Sequence, residues 1–112
     1  MNKYLFYVMS GQKMCFVHVL LNALQLKAAG HEVKIVFEGE SVKLPPLLMQ
    51  ESNQLYQKAL EKGLIAGVCL ACAELLGVMD EIKALQLPLL DDMNGHAGLK
   101  PYLDENYEIF IF

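Results

Sequence analysis

Five short apolar segments, separated by longer segments of helical pattern, are the feature that most limits what this chain can fold into. The apolar segments are rich in β-branched and aromatic residues, and they cover residues 3–9, 31–37, 64–69, 87–90 and 107–112. The helical patterns cover residues 14–29, 54–62, 70–76 and 80–85, with a last helix beginning near Leu99. Strands that alternate with helices are typical of a parallel sheet covered by helices. We therefore predict a three-layer α/β/α fold with a mainly parallel five-stranded sheet, a flavodoxin-like architecture.

The predicted ends of these elements rest on glycine, proline and acidic residues. Gly30, Gly63 and Gly77 each follow a helical pattern, and Asp80 is a candidate N-cap. Residues 38–48 contain a glycine and two adjacent prolines, which predicts a mobile loop.

Length and hydropathy predict one domain over residues 1–112 and argue against a membrane protein. Hydrophobic residues make up 54% of the chain, but lysine, glutamate, glycine and proline interrupt every apolar run too soon for a spanning helix. The first nine residues are too short for the apolar core of a signal peptide. We expect a cytoplasmic protein with no membrane partner.

The charge balance argues against nucleic acid as a partner. All nine basic residues are lysines, so the planar guanidinium group that grips phosphates and guanine edges best is absent. The net charge of −4 would also repel a polyanion.

Polar residues follow four of the predicted strands at the point where each strand ends. In parallel sheets, ligands bind outside the carboxyl ends of the strands, so these residues should lie at one edge of the sheet. They are Ser10 and Gly11, then Glu38 and Glu40, then Cys69, and then Asp91 and Asp92 with His96 shortly after. This convergence is the main functional signal in the sequence.

Cys69 lies where a buried strand is predicted to give way to a helix. The positive end of the helix dipole and free backbone N–H groups favour a thiolate there, so Cys69 is a candidate nucleophile. Cys72 follows one helical turn later and could resolve an oxidised Cys69 into a disulfide. Both thiols are equally well explained as small hydrophobic residues of the core.

His96 lies between two glycines of the predicted loop and is a candidate acid or thiolate partner. Asp91 and Asp92 could orient His96, or could simply be turn residues. Either aspartate could also complete an irregular zinc set with Cys69, Cys72 and His96, although no second Cys-x-x-Cys or His pair supports zinc. Ser10, Gly11, Asp91 and Asp92 are candidates for substrate binding.

Cys15 and His18 form a second candidate pair, one turn apart near the start of the first helix. That helix is apolar almost all round, so we expect Cys15 to be buried in the core rather than reactive.

Several of these segments together resemble the DsrE/DsrF-like proteins. They are the first strand with its following loop and long helix, VCLACAELLGV, LPLLDDMNGHAG and the terminal YEIFIF. The resemblance covers essentially the whole chain, and its most specific part is Cys69 followed by Ala71, Ala73, Gly77 and Val78. It implies a three-layered subunit that assembles into oligomers and carries sulfane sulfur as a persulfide on Cys69. Cys72 and the DDMNGH loop depart from the sulfur-relay subunits.

The sequence therefore predicts a persulfide carrier that forms a homo-oligomer, meets a sulfur donor or acceptor protein and needs no cofactor. Two alternatives stay open. One is a thiol-disulfide redox protein that uses Cys69 and Cys72, and the other is a binding module without chemistry that holds a metal or small ligand.

Overall fold

The computed structural model describes residues 1–112 and contains five strands, six α-helices and one 3₁₀-helix. The strands are β1 (Lys3–Val8), β2 (Glu32–Phe37), β3 (Ile65–Cys69), β4 (Leu89–Leu90) and β5 (Glu108–Ile111). The α-helices are α1 (Lys13–Ala28), α2 (Leu44–Gln50), α3 (Gln54–Glu61), α4 (Leu70–Leu75), α5 (Met79–Ala84) and α6 (Lys100–Leu103). The 3₁₀-helix, Gly39–Lys43, precedes α2.

All the strands are parallel and lie in the order β4-β3-β2-β1-β5. From β1 to β4 the chain moves one strand at a time in the same direction, and it then returns to the other side of β1 for β5. Because parallel crossovers are right-handed, that reversal places α6 on the opposite face from the helices before it. The predicted three-layer α/β/α fold with a parallel five-stranded sheet is confirmed.

The core lies between the sheet centre and the long helix α1. Leu5 on β1 and Ile35 on β2 are fully buried, as expected of strands that are covered on both faces. On α1, Phe16 packs its ring against that of Phe37, with centroids 5.2 Å apart. This close packing holds the carboxyl ends of β2 and β3 in place.

Residues 38–48 correct the prediction of a mobile loop. They form the 3₁₀-helix and the first part of α2, in which the paired prolines occupy the first turn. Proline is tolerated there because the N–H groups of the first turn have no partner within the helix. Val42, Leu44 and Leu48 are at most 1% exposed, so this segment is a packed wall beside the ends of β2 and β3.

The end of α4 and the start of α5 test two further boundary predictions. Gly77 has φ +73°, a conformation that favours glycine, and it ends α4 as predicted. Asp80 is not the N-cap of α5, because the helix begins at Met79 after Val78. The Asp80 carboxylate instead lies in the first turn, where the partial positive charge of the helix end favours it. None of the helices is both long and apolar enough to cross a membrane.

Candidate functional site

Cys69 is the last residue of β3 and the N-cap of α4. Its sulfur accepts a hydrogen bond from the backbone N–H of Cys72 at 3.3 Å, and the residue is fully buried. Since α4 has only six residues, its dipole is a weak source of field. The contacts that can stabilise charge on this sulfur are therefore local ones: one N–H group and the side chain of His96.

Cys72 lies one turn further along α4 and faces the end of β2. Its thiol donates a hydrogen bond to Glu38 Oε1 at 2.8 Å and accepts one from the Gly39 N–H at 3.3 Å. Burial and the hydrogen bond to Glu38 raise the pKa of the Cys72 thiol to about 12. Cys72 is therefore held as a protonated thiol beside a carboxylate.

Glu38 follows β2 directly and is only 5% exposed. Its Oε2 accepts hydrogen bonds from the Ala97 N–H at 3.1 Å and from the Tyr7 hydroxyl at 3.2 Å, which leaves Oε1 directed at the thiols. Burial acts to raise the pKa of Glu38, but hydrogen bonds from Cys72, His96 and Ala97 outweigh it and hold the pKa below its ordinary value. The Glu38 carboxylate is thus a buried negative charge that hydrogen-bond donors of the protein stabilise.

His96 is brought to the cysteines by a tight turn. Asn94 and Gly95 both have positive φ, the pattern of a type I′ turn, and Met93 pairs with His96 across it. The Ala71 N–H donates to the Gly95 carbonyl at 2.9 Å and ties the turn to α4. As a result His96 Nδ1 lies 3.3 Å from the sulfur of Cys69, 3.5 Å from that of Cys72 and 3.2 Å from Glu38 Oε1.

Glu38, Cys69, Cys72 and His96 thus form one cluster, which we call the thiol cluster. Their four donor atoms all lie within 4.8 Å of one another. A base, two thiols and an imidazole so close together can exchange protons, form a disulfide or bind a soft metal ion.

Asp91 and Asp92 are outside the thiol cluster and brace the loop that carries His96. The Asp91 carbonyl accepts the Gly95 N–H at 3.2 Å, and Asp92 Oδ1 accepts the Gly98 N–H at 3.1 Å. A Cβ atom at Gly98 would lie 2.5 Å from Asp92 Oδ2, so the loop packs closely there. The carboxylate against His96 is that of Glu38, not of either aspartate.

Ser10 and Gly11 line a separate, open depression of about 510 Å³ with Gln12 and Lys43. The Ser10 hydroxyl accepts the Gln12 N–H at 3.2 Å, which makes it a loop residue. A second depression, of about 230 Å³, borders Cys72 and is lined by Gly39, Glu40, Leu75 and Leu76. Of the thiol cluster, only Cys72 lines this second opening.

Cys15 corrects another expectation, because it is exposed rather than buried. Only four residues of α1 are buried, Phe16, Val19, Leu20 and Ala23, so an apolar composition does not imply that this helix is covered all round. The sulfur of Cys15 lies 3.5 Å from Gln12 Oε1, and His18 is exposed beside it.

Two residues of the site, Glu38 and Tyr7, are not assigned a role by sequence reasoning. Glu38 stands among the strand-end residues, but sequence offers no reason to prefer it over Asp91 or Asp92. The usable signal is strand order: β2 is the neighbour of β3, so its first following residue lies beside Cys69. Nothing in the sequence distinguishes Tyr7 from the other aromatic residues of the first strand.

The fold and the site define a class of protein: a parallel α/β domain with a buried pair of thiols, a carboxylate and an imidazole at the carboxyl ends of its central strands. The chain is 42% identical over 96 residues to an uncharacterised protein of Methanocaldococcus jannaschii, MJ0733. The alignment covers 83% of this chain and 76% of that protein, so the chain belongs to the same family. No protein-family model and no solved structure matches the chain.

Proposed function

We propose that the protein is a sulfur carrier of the DsrE/DsrF-like type that holds sulfane sulfur as a persulfide on Cys69. The observation that supports this best is the environment of the Cys69 sulfur, which lies 3.3 Å from both the Cys72 N–H nitrogen and His96 Nδ1. These groups can donate hydrogen bonds to a thiolate and to a sulfur bound to it. The resemblance of several segments to that family, from the first strand to YEIFIF, agrees with the same function.

The transfer step needs a donor protein or small molecule that carries a persulfide. The Cys69 thiolate attacks the outer sulfur of the donor, a new S–S bond forms on Cys69, and the S–S bond of the donor breaks. The donor leaves as a thiolate and takes up a proton, which protonated His96 is placed to supply.

Cys72 can then end the life of the persulfide. Its thiol loses a proton to Glu38 and attacks the inner sulfur on Cys69. The two cysteines form a disulfide, and the outer sulfur leaves as hydrosulfide. An acceptor protein has to take the sulfur before this step occurs.

The route of sulfur into the site runs past His96 and Cys72. Cys69 is fully buried and Cys72 is 7% exposed, whereas the His96 side chain is 37% exposed. The segment around Pro45 and Pro46, predicted to be a mobile loop, belongs to α2 and offers no flexible opening to the site. A donor therefore has to approach between His96 and the depression beside Cys72.

The proposal includes a homo-oligomer in the cytoplasm. The edge strand β5 and its end expose Phe110, Ile111 and Phe112 by 45%, 63% and 42%. Beside them, Tyr4 and Phe6 line a groove of about 250 Å³. Exposed apolar patches on the free side of an edge strand favour association, and free cysteines are typical of a reducing compartment. Sedimentation that shows only monomer at micromolar concentration would contradict the oligomer.

The lifetime of the loaded state tests the roles of the two cysteines. The protein is incubated with a persulfide donor and a metal chelator, and the intact mass is followed over time. Cys69→Ser should abolish the added sulfur, while Cys72→Ser should gain it and keep it longer than the unchanged protein. Sulfur loading that survives Cys69→Ser contradicts the proposal.

A redox function is the second candidate, and one observation favours it. The Cys72 thiol donates a hydrogen bond to the buried Glu38 carboxylate, which can accept its proton when Cys72 attacks a mixed disulfide. The reduction potential of the Cys69–Cys72 pair tests the redox function. A potential near that of the cytosolic thiol pool supports redox catalysis, whereas a much lower one indicates a structural bridge.

A further inference from the structure

The thiol cluster brings together four side chains that suit a single soft divalent cation. Glu38 comes from the end of β2, Cys69 and Cys72 from the junction of β3 and α4, and His96 from the turn after β4. Each offers one ligand atom, and together they supply two sulfurs, one nitrogen and one oxygen. Four such ligands complete the tetrahedral shell of a closed zinc site.

Three of the six donor-atom separations are close to those of a tetrahedral shell, and all six are at most 4.8 Å. With Zn–ligand bonds of 2.0–2.3 Å, neighbouring ligand atoms lie about 3.3–3.8 Å apart. The separations around His96 Nδ1 are 3.2 Å to Glu38 Oε1, 3.3 Å to Cys69 and 3.5 Å to Cys72. The shorter contact of 2.8 Å between Cys72 and Glu38 holds a proton that a cation would replace.

Three of the four ligands are also held by further hydrogen bonds, as metal ligands usually are. Ala97 and Tyr7 bind the Oε2 atom of Glu38 and leave Oε1 free to bind a cation. Backbone N–H groups of Gly39 and Cys72 donate to the two sulfurs.

The charge of the cluster favours a cation. When both thiols ionise, the four side chains carry three negative charges, and no lysine forms an ion pair with Glu38. A buried group of this kind is stable when protons or a metal ion neutralise it. Two thiolates and an imidazole prefer zinc over magnesium or calcium, which bind oxygen ligands.

We propose that Glu38, Cys69, Cys72 and His96 bind one Zn²⁺ ion in the reduced protein, with loss of the thiol protons. Since the four ligands leave no open position, the bound ion is not a hydrolytic centre. It also occupies both sulfurs, so the metal-bound protein cannot accept sulfane sulfur. This competition rests on the proposed sulfur-carrier function, whereas metal binding itself does not.

Cobalt titration of the reduced, metal-free full chain tests the site without any sulfur donor. Co²⁺ should bind at one ion per chain and produce the thiolate charge-transfer and tetrahedral ligand-field absorption bands, which Zn²⁺ should then bleach. Cys15→Ser is the matched control, because it removes the thiol outside the cluster and should leave the spectrum unchanged. Cys72→Ser should abolish the charge-transfer band from that sulfur, and Glu38→Gln should weaken binding by about tenfold or more.

The result that overturns the proposal is a spectrum without tetrahedral bands, or one that depends on Cys15 rather than on Cys72. Circular dichroism of Glu38→Gln and Cys72→Ser checks that each variant is folded. If Glu38→Gln does not fold, Glu38→Asp replaces it as the variant at this position, because it keeps a carboxylate. Sulfur loading is measured separately in chelator. Loading without cobalt binding removes the metal proposal alone, and cobalt binding without loading removes the sulfur carrier alone.

Discussion

The chain carries cysteine beside a second soft side chain twice, and the structure treats the two pairs differently. Cys15 and His18 lie on an exposed face of α1, and the nearest polar contact of the Cys15 sulfur is Gln12. Cys69 and Cys72 lie at the end of a central strand, where Glu38 and His96 meet them. Both pairs have the same spacing along the chain. The difference shows that the carboxyl ends of neighbouring parallel strands, rather than residue type and spacing, make the site.

The largest expected difference between the two regions is in thiol alkylation. In chelator at neutral pH, iodoacetamide should modify Cys15 about a hundredfold faster than Cys69 or Cys72, because the buried thiols react only after local opening. Peptide mass spectrometry after timed quenching gives the three rates. In guanidinium the rates should converge; similar rates in the folded protein would contradict the burial of the cluster.

Backbone packing under the site should be more sensitive than the surface of α1. A Cβ atom at Gly67 would lie 2.8 Å from the Pro88 carbonyl oxygen and from Leu90 Cγ, so Gly67→Ala should lower the free energy of unfolding by about 2 kcal/mol. Met14→Ala, beside Cys15, should change it by no more than about 0.5 kcal/mol. Urea unfolding measures both, and equal losses would argue against the close approach of β3 and β4.

Glu38 should set the reactivity of Cys72 and leave that of Cys15 unchanged. Burial raises the pKa of Cys72 most and the Glu38 carboxylate raises it further, so Glu38→Gln should lower that pKa and speed alkylation of Cys72 at pH 8 by about tenfold. The rate in the unchanged protein should keep rising beyond pH 10, since its pKa is about 12, while the rate in the variant should level off at lower pH. A pH profile of Cys72 that is identical in both proteins contradicts this role.

The smallest effect concerns the tyrosine behind the cluster. Tyr7→Phe removes hydrogen bonds to Glu38 Oε2 and to the Ala97 carbonyl and should cost about 1 kcal/mol of stability. Tyr4→Phe is the control on the same strand, because the Tyr4 hydroxyl has only an exposed contact with Asn2. Urea unfolding measures both variants, and an equal loss of free energy of unfolding in Tyr7→Phe and Tyr4→Phe would mean that Tyr7 does not support the site.

Much of this fold is predictable because most of its strands have a clear sequence pattern. β1, β2, β3 and β5 are apolar, short and separated by helical patterns, and the parallel sheet follows from their alternation. Residues 38–48 are different: adjacent prolines are read as a loop unless the start of a helix is recognised immediately before them. The prediction that Cys15 is buried is wrong because an apolar composition does not reveal which face of α1 the sheet covers.

The site is predictable in part for the same reason. Cys69, Cys72 and His96 come together because strand ends converge, which sequence order already implies. Glu38 cannot be selected over Asp91 and Asp92 without the strand order that places β2 beside β3. The turn at Asn94 and Gly95 then directs His96, and not the aspartates, toward the sulfurs.

Intact mass after sulfur loading tests the central claim most directly. The protein, Cys69→Ser and Cys15→Ser are each incubated with a cysteine desulfurase and cysteine in chelator without reductant. At early times, before Cys72 discharges the persulfide, the account predicts the mass of one added sulfur atom in the protein and in Cys15→Ser, and none in Cys69→Ser. An adduct that survives in Cys69→Ser or disappears in Cys15→Ser would contradict the assignment of sulfur to the buried cluster.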